Sequence, residues 1–221
     1  KVIGSDIRNP PGLTNQQVME MADIVYFSVL PIADVARVVH VLIPHARPDT
    51  VWLHGTSIQN PRNNQIVPVL ADARLAAKNV STGFLHFMVG PRTHSLRGQS
   101  VAYGFFPQTP SERWKDLLEG HLKKELATLL ECTAEFHDAL TSTSQVIPML
   151  IAVLYGQLWN QEGIPLSQAL RIAGPPCWLQ SYGALRNLSQ GSIVTNILIN
   201  HPHTKRIIRE AIIILVESEA A

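Results

Sequence analysis

A continuous apolar run, Asp23-Ile-Val-Tyr-Phe-Ser-Val29, most constrains what this chain can fold into. It has the length of a strand and carries apolar residues on both alternating faces, which is typical of a parallel strand covered on both sides. Pro31 follows and can occupy the first turn of a helix. Because parallel strands are joined by crossover helices, the run favours an α/β fold.

The rest of the first 132 residues alternates between strand and helix patterns. Strands are predicted at 2–8, 23–29, 50–54, 79–87, 99–105 and 126–132. Helices are predicted at 15–21 and 112–124, capped by Thr14 and Ser111, and at 32–42 and 62–77. The alternation predicts a doubly wound, Rossmann-like domain with a parallel sheet over residues 1–132, whose first strand and glycine-rich loop would precede Lys1.

The pattern changes after Cys132, and strand signals almost disappear. Thr133 can cap a long apolar helix that runs to about Asn160, with a kink expected at Pro148. Shorter helices are predicted at 167–172, 177–187, 191–199 and 203–217. Residues 133–221 are therefore expected to form an all-helical domain, and its long apolar helices favour a homodimer.

Composition narrows the class of protein. The formal net charge of +1 provides no basic field for nucleic acid. Cys132 and Cys177 lie outside any CxxC pattern and favour reduced thiols, with a single disulfide as the alternative. We recognise no signal peptide and no apolar run of membrane-spanning length. The sequence thus predicts a cytoplasmic protein without nucleic-acid or membrane partners.

Two side chains are candidates for chemistry. His86 ends an apolar run before Gly90-Pro91, with Arg92 and Arg97 nearby, and an imidazole at a strand end can transfer protons. Ser57 follows another strand, where a hydroxyl faces the ligand crevice of an α/β sheet. The alternatives are a purely structural histidine and a turn serine. We expect no metal site, because His94, His201 and His203 have no partners at ligand spacing.

Two acidic residues are ambiguous. Asp6 ends a predicted strand, where a dinucleotide-binding fold holds the ribose hydroxyls, and Arg8 beside it can pair with a 2′-phosphate. The alternative for Asp6 is a solvent-facing acid. Asp138, with His137, lies in the first turn of the long helix, where a carboxylate is favourable. A structural role is favoured for that pair.

In this order, the segments resemble the prephenate/arogenate dehydrogenase family. His86-Phe-Met-Val-Gly-Pro91 is similar to the family's His-Pro-Met-Phe-Gly-Pro, and Glu135-Phe-His-Asp138 to its Glu-His-Asp. Further similar segments are 23–29 with Pro31, Thr56-Ser57, Leu96-Arg-Gly98, Gln145 and Tyr155-Gly156. The resemblance covers essentially the whole chain.

The resemblance implies a Rossmann-like domain, a helical dimerisation domain and NAD- or NADP-dependent oxidative decarboxylation of prephenate or a related cyclohexadienol. It implies that His86 hydrogen-bonds the ring hydroxyl and that Ser57 orients it. By the same resemblance, cofactor-binding residues are Asp6, Arg8, Ser28, Val29 and Pro31, and substrate-binding residues are Arg92, Gln145, Met149 and Trp178.

The chain departs from the family pattern at several positions, including cationic ones that would bind the carboxylates of the substrate. Gln59 replaces a lysine, Phe87 a proline and Met149 a histidine, while Trp178 stands near the position of a carboxylate-binding arginine. A buried, unpaired carboxylate costs several kcal/mol, so Arg92, Arg97, Arg171 or Arg186 would have to substitute. Three hypotheses follow: a working dehydrogenase of tyrosine biosynthesis, the same fold with another substrate or chemistry, and a non-catalytic dimeric relative.

Overall fold

The computed structural model contains two compact units, Lys1–His137 and Asp138–Ala221. We describe residues 12–29, 33–89, 93–107, 111–163 and 192–219, with single positions 165, 168, 183, 184, 187 and 189. The predicted strand at 2–8 lies outside these residues. The unit boundary falls after residue 137 rather than after residue 132, and the assignment of separate functions to the two domains stays a prediction.

Within the described part of the first unit, five strands form a sheet, side by side in chain order. They are β1 (Ile24–Phe27), β2 (Val51–His54), β3 (Ser81–Phe87), β4 (Ser100–Phe105) and β5 (Thr128–Glu131). β1, β2 and β3 are parallel to one another, and β4 is parallel to β5. The carboxyl ends of the first three strands therefore meet at one edge, where ligands bind in open α/β sheets.

The fully parallel sheet expected from the sequence is wrong at one junction, because β4 runs antiparallel to β3. The described residues between these strands, 88–89 and 93–99, contain no helix. A parallel pair needs a crossover connection, usually helical, whereas an antiparallel pair can be joined by a loop. The missing crossover helix thus accounts for the reversal.

Among the residues that the structure describes, five α-helices accompany this sheet: α1 (Asn15–Met21), α2 (Ala33–Leu42), α3 (Ile66–Leu70), α4 (Ala73–Ala77) and α5 (Glu112–Lys124). The predicted cap of α1 is confirmed, since Thr14 and Gln17 form a reciprocal capping box. Ser111 precedes α5, but its side chain makes no capping hydrogen bond.

The single helix predicted over 62–77 is wrong, because the segment forms α3 and α4 instead. Pro68 is tolerated only in the first turn of a helix, so α3 begins as late as Ile66. Asp72 then ends the run by capping α4, where its side chain accepts a hydrogen bond from the Arg74 amide.

The core occupies both faces of the sheet around β2, whose four residues are all buried. Trp52 packs on one face among α2, α3 and α4, while Val51 and Leu53 pack on the other face against α5. β1 is covered less completely than predicted, because Ile24 and Tyr26 are each 39% exposed. The cause is its position at the edge of the described sheet.

The described residues of the second unit are helical and contain no strand. α6 (Ala134–Thr141) begins in the first unit, and α7 (Ile147–Gln161), α8 (Ser192–Asn200) and α9 (Thr204–Glu219) follow. Met149 packs with Val146, Val194 and Ile197 in the core of this unit. Thr133 accepts a hydrogen bond from the Phe136 amide, as its predicted capping role requires.

A wide π-helical turn, Ser142–Val146, joins α6 to α7. The side chains of Ser142, Thr143 and Ser144 donate to carbonyl groups three or four residues earlier. Such bonds compete with the helical ladder, and π turns are a recognised cause of helix irregularity. The irregularity therefore lies before Pro148 and not at it, as the predicted kink would require. Pro148 itself occupies the first turn of α7.

The helical segment Ala134–Leu158 is long and apolar enough to cross a membrane by length and composition alone, with a mean hydropathy of 1.4. The expectation that no segment reaches this length was therefore wrong. Its apolar sequence is interrupted by polar residues such as Asp138 and Gln145, so no continuous apolar run marks the helix. One such helix is weak evidence for a membrane span, since core helices of other proteins pass the same test.

Candidate active site

Three side chains from separate parts of the first unit meet beside the carboxyl end of β3. Ser57 lies just after β2, His86 is near the end of β3, and His137 lies in α6. The Ser57 hydroxyl is 3.2 Å from Nε2 of His86, and Nδ1 of His86 is 2.9 Å from Nε2 of His137. Both nitrogens of the His86 imidazole are therefore within hydrogen-bonding distance of another side chain.

The two histidines are almost completely withdrawn from water. His86 is 5% exposed and His137 is not exposed. Their ring centroids are 5.1 Å apart, and the edge of the Phe84 ring packs against His137. An N···N hydrogen bond requires one donor and one acceptor, so one nitrogen of the facing pair carries hydrogen and the other does not.

A buried polar network holds the loop that carries Ser57. Nδ1 of His54 pairs with the Thr56 hydroxyl at 2.9 Å, and that hydroxyl donates to the Ile58 carbonyl. The Asn64 amide donates to both Thr56 and Ile58 at 2.7 Å. Buried hydrogen-bond networks rigidify the segments that form them, and this one supports the loop that carries Ser57.

Gln59, which replaces a lysine of the resembled family, belongs to the same network. Its side chain is completely buried, and Nε2 donates to the Thr56 carbonyl at 2.7 Å. A lysine ammonium would be costly in that buried position without a charged partner. At the position where the resembled family has a lysine, this chain therefore has a neutral side chain that hydrogen-bonds the backbone of the Ser57 loop.

Tyr26 connects β1 to the strand that carries His86. Its hydroxyl crosses Gly55 and donates to the Leu85 carbonyl at 3.1 Å. A side chain at Gly55 would place its Cβ 1.8 Å from that hydroxyl oxygen, so only glycine leaves the path open. Burial raises the pKa of Tyr26 to about 12, which keeps the hydroxyl a donor near neutral pH.

The remaining predicted site residues are scattered. Ser28 and Val29 are exposed directly after β1. Gln145 lies in the π turn, and Met149 is 7% exposed within the helical core; their substrate-binding roles stay predictions. Five predicted residues lie outside the described part of the chain: Asp6, Arg8, Pro31, Arg92 and Trp178. Arg171 and Arg186 also lie outside it.

His137 is the site residue that sequence reasoning missed. It was assigned a structural role together with Asp138, because a polar residue in the first turn of a helix is common. The available signal was the similarity of Glu135-Phe-His-Asp138 to a family motif. In the described residues, no group of three or more histidine, cysteine, aspartate or glutamate side chains is arranged to hold a metal ion.

The fold, an α/β sheet with a helical second unit, is similar to that of known dehydrogenases. A probable arogenate/prephenate dehydrogenase from Methanocaldococcus jannaschii is 26% identical over 180 residues, covering 79% of this chain and 37% of that protein. The chain thus spans a little over a third of that relative's length. No family model matches the sequence.

Solved structures show the same fold. Prephenate dehydrogenase from A. aeolicus, in complex with hydroxyphenyl propionate and NAD+, has a TM-score of 0.63 at 16% identity, covering 93% of this chain and 71% of that one. Arogenate dehydrogenase from Synechocystis has a TM-score of 0.59 at 15% identity, covering 93% and 75%. These findings confirm the resemblance to prephenate and arogenate dehydrogenases that the sequence motifs indicated.

Proposed function

We propose that this chain belongs to an NAD(P)-dependent dehydrogenase that oxidatively decarboxylates prephenate, arogenate or a related cyclohexadienol, in tyrosine or related aromatic biosynthesis. The observation that carries the proposal is the position of His86 at the carboxyl edge of the sheet, held by Ser57 and His137. The relatives described above are named as prephenate or arogenate dehydrogenases, and this similarity supports the proposal.

In the proposed reaction, His86 accepts the proton of the ring hydroxyl at Nε2. The carbon bearing that hydroxyl loses a hydride, the ring carboxyl group leaves as carbon dioxide, and its bonding electrons complete the aromatic ring. A bound nicotinamide supplies the hydride acceptor. Ser57 lies within hydrogen-bonding distance of Nε2, so its hydroxyl can orient the incoming substrate hydroxyl toward the base.

The proposed dinucleotide site is supported by the position of two exposed residues at the carboxyl edge of the sheet. Ser28 and Val29 are exposed at the end of β1, and Gly55 follows β2 next to it. The carboxyl ends of neighbouring parallel strands are where a dinucleotide lies in this fold class. We therefore include Ser28 and Val29, together with Asp6, Arg8 and Pro31, in the proposed NAD or NADP site.

A second candidate is the same fold acting on a different substrate. Gln59 supports the buried loop, and Met149 is packed among apolar residues, so neither supplies a charge for a substrate carboxylate. Arg97 is exposed. This loss of charge favours a substrate with fewer carboxylates than prephenate. The third candidate, a non-catalytic dimeric relative, is disfavoured by the buried Ser57–His86–His137 arrangement.

The proposal is tested with the full-length protein by calorimetry with NAD+ and NADP+, and by absorbance of the reduced cofactor with prephenate and arogenate. We expect binding of at least one cofactor and turnover of one of the two substrates. Cofactor binding without turnover of either substrate would favour the second candidate. Binding of neither cofactor would contradict both enzymatic candidates.

We also propose that the protein is a homodimer formed through the helical unit. Ile147, Ile151, Leu154 and Leu158 recur at helical spacing along one side of α7 and are 37–60% exposed. Contiguous exposed apolar residues mark association surfaces. The cytoplasmic location predicted from sequence belongs to the same proposal.

Replacing both Leu154 and Leu158 by glutamate is expected to convert the dimer into a monomer, because two charges per subunit would be buried without partners. Sedimentation equilibrium measures the mass directly. The control is Asn160→Glu, which adds a charge on the other side of α7 and should leave the dimer intact. A double variant that stays dimeric would place the interface elsewhere.

A further inference from the structure

We infer that His137 is a positioning residue, which keeps His86 in the tautomer with hydrogen on Nδ1, so that Nε2 carries no hydrogen and can accept a proton. The inference rests on the proposed function, because it assigns a task to a residue beside the proposed base. It extends that function by naming what determines the protonation state of His86.

The geometry leaves two arrangements of hydrogen. Nδ1 of His86 and Nε2 of His137 are 2.9 Å apart, so one donates and the other accepts. If His137 donates, a neutral His86 carries its hydrogen on Nε2, facing Ser57, and cannot act as a base there. If His86 donates, Nε2 carries a lone pair, which accepts a hydrogen bond from the Ser57 hydroxyl at 3.2 Å.

The surroundings of His137 prevent it from turning away. Its backbone amide donates to the Thr133 carbonyl at 2.9 Å, which fixes it in the first turns of α6. The Phe84 ring packs edge-on against the imidazole, with centroids 5.3 Å apart. Since His137 is completely buried, bulk water does not replace it as the partner of Nδ1.

The same contact stabilises the product of proton transfer. Once His86 has accepted a proton at Nε2, both of its nitrogens carry hydrogen, and Nδ1–H still donates to Nε2 of His137. A hydrogen bond from a charged donor is roughly twice as strong as one between neutral groups. His137 thus holds the base in the reactive tautomer and then stabilises the imidazolium, without touching the substrate.

Histidine-selective ¹⁵N NMR on the full-length protein without substrate tests the tautomer directly. We expect His86 to be protonated at Nδ1 and not at Nε2, His137 to be unprotonated at Nε2, and a scalar coupling across the shared hydrogen bond. The His86→Asn and His137→Gln variants assign the signals. Protonation of His86 at Nε2 instead would overturn the inference, whether or not the protein turns over prephenate or arogenate.

Kinetics supply the second measurement. His137→Leu removes the acceptor and is expected to lower kcat on the order of 10²-fold with KM little changed, since a wrongly oriented base loses most of its contribution. His137→Gln retains an acceptor oxygen and should recover at least about tenfold of that loss. Equal losses in both variants, or a change in KM alone, would contradict the positioning role.

These outcomes separate the two proposals. A wild-type protein without turnover of either substrate, but with the expected tautomer, contradicts the proposed substrates and leaves the tautomer assignment standing. A wild-type protein that is active, with His137→Leu equally active and its cofactor affinity unchanged, supports the function and overturns the inference. Thermal melts of both variants verify that they fold.

Discussion

Replacing His86 by asparagine is expected to lower kcat by about 10³-fold, because a positioned general base contributes roughly 10²–10⁴-fold to rate. The shorter side chain has no nitrogen at the position of Nε2, which faces Ser57 at 3.2 Å. Its amide can still hydrogen-bond toward His137, so the buried contact is retained. Steady-state kinetics with the preferred cofactor and substrate measure the loss, and calorimetry should show unchanged cofactor affinity.

Two further variants show whether the loss of kcat is specific to the proposed base. His94→Asn makes the same substitution at an exposed histidine after β3 and should leave kcat unchanged. Ser57→Ala removes one hydrogen bond to Nε2 and should cost about tenfold, the equivalent of roughly 1.4 kcal/mol. Full activity of His86→Asn would rule out His86 as the base and would revive the non-catalytic candidate.

Replacing Gly83 by alanine is expected to destabilise the first unit by about 3 kcal/mol, the upper part of the range for overpacking. A Cβ at Gly83 would lie 2.2 Å from the Gly104 carbonyl oxygen and 2.9 Å from Cα of Phe105, both in β4. β4 cannot easily withdraw, since a Cβ at Gly104 would in turn lie 2.3 Å from the Cys132 carbonyl. The two glycines therefore permit close approach of the strands beside His86.

Urea unfolding, followed by circular dichroism, measures this loss as a lower midpoint. Gly120→Ala is the matched control, because Gly120 lies within α5 and an added Cβ meets nothing within 4 Å. That substitution should stabilise the protein by about 0.5–1 kcal/mol through the helix propensity of alanine. If Gly83→Ala unfolded at the wild-type midpoint, β3 and β4 would be less rigidly paired than the structure shows.

Much of the fold follows from local patterns. The spacing of apolar residues predicted all five observed strands and α1, α2 and α5, because periodicity depends on residues two to four positions apart. The same patterns placed Ser57 after one strand and His86 near the end of another, whereas only the family resemblance implied that the two residues act together. They failed over 62–77, where Pro68 and the Asp72 cap divide the helix.

Other features depended on the tertiary structure. The sequence by itself determined an α/β domain, a helical second unit and a histidine at the carboxyl edge of the sheet. The folded chain alone decided that β4 reverses, that Gln59 supports a loop and that His137, 51 residues away, contacts His86. The physical reason is that local periodicity assigns a residue to a helix or strand, whereas the partner of a buried nitrogen depends on how distant elements pack.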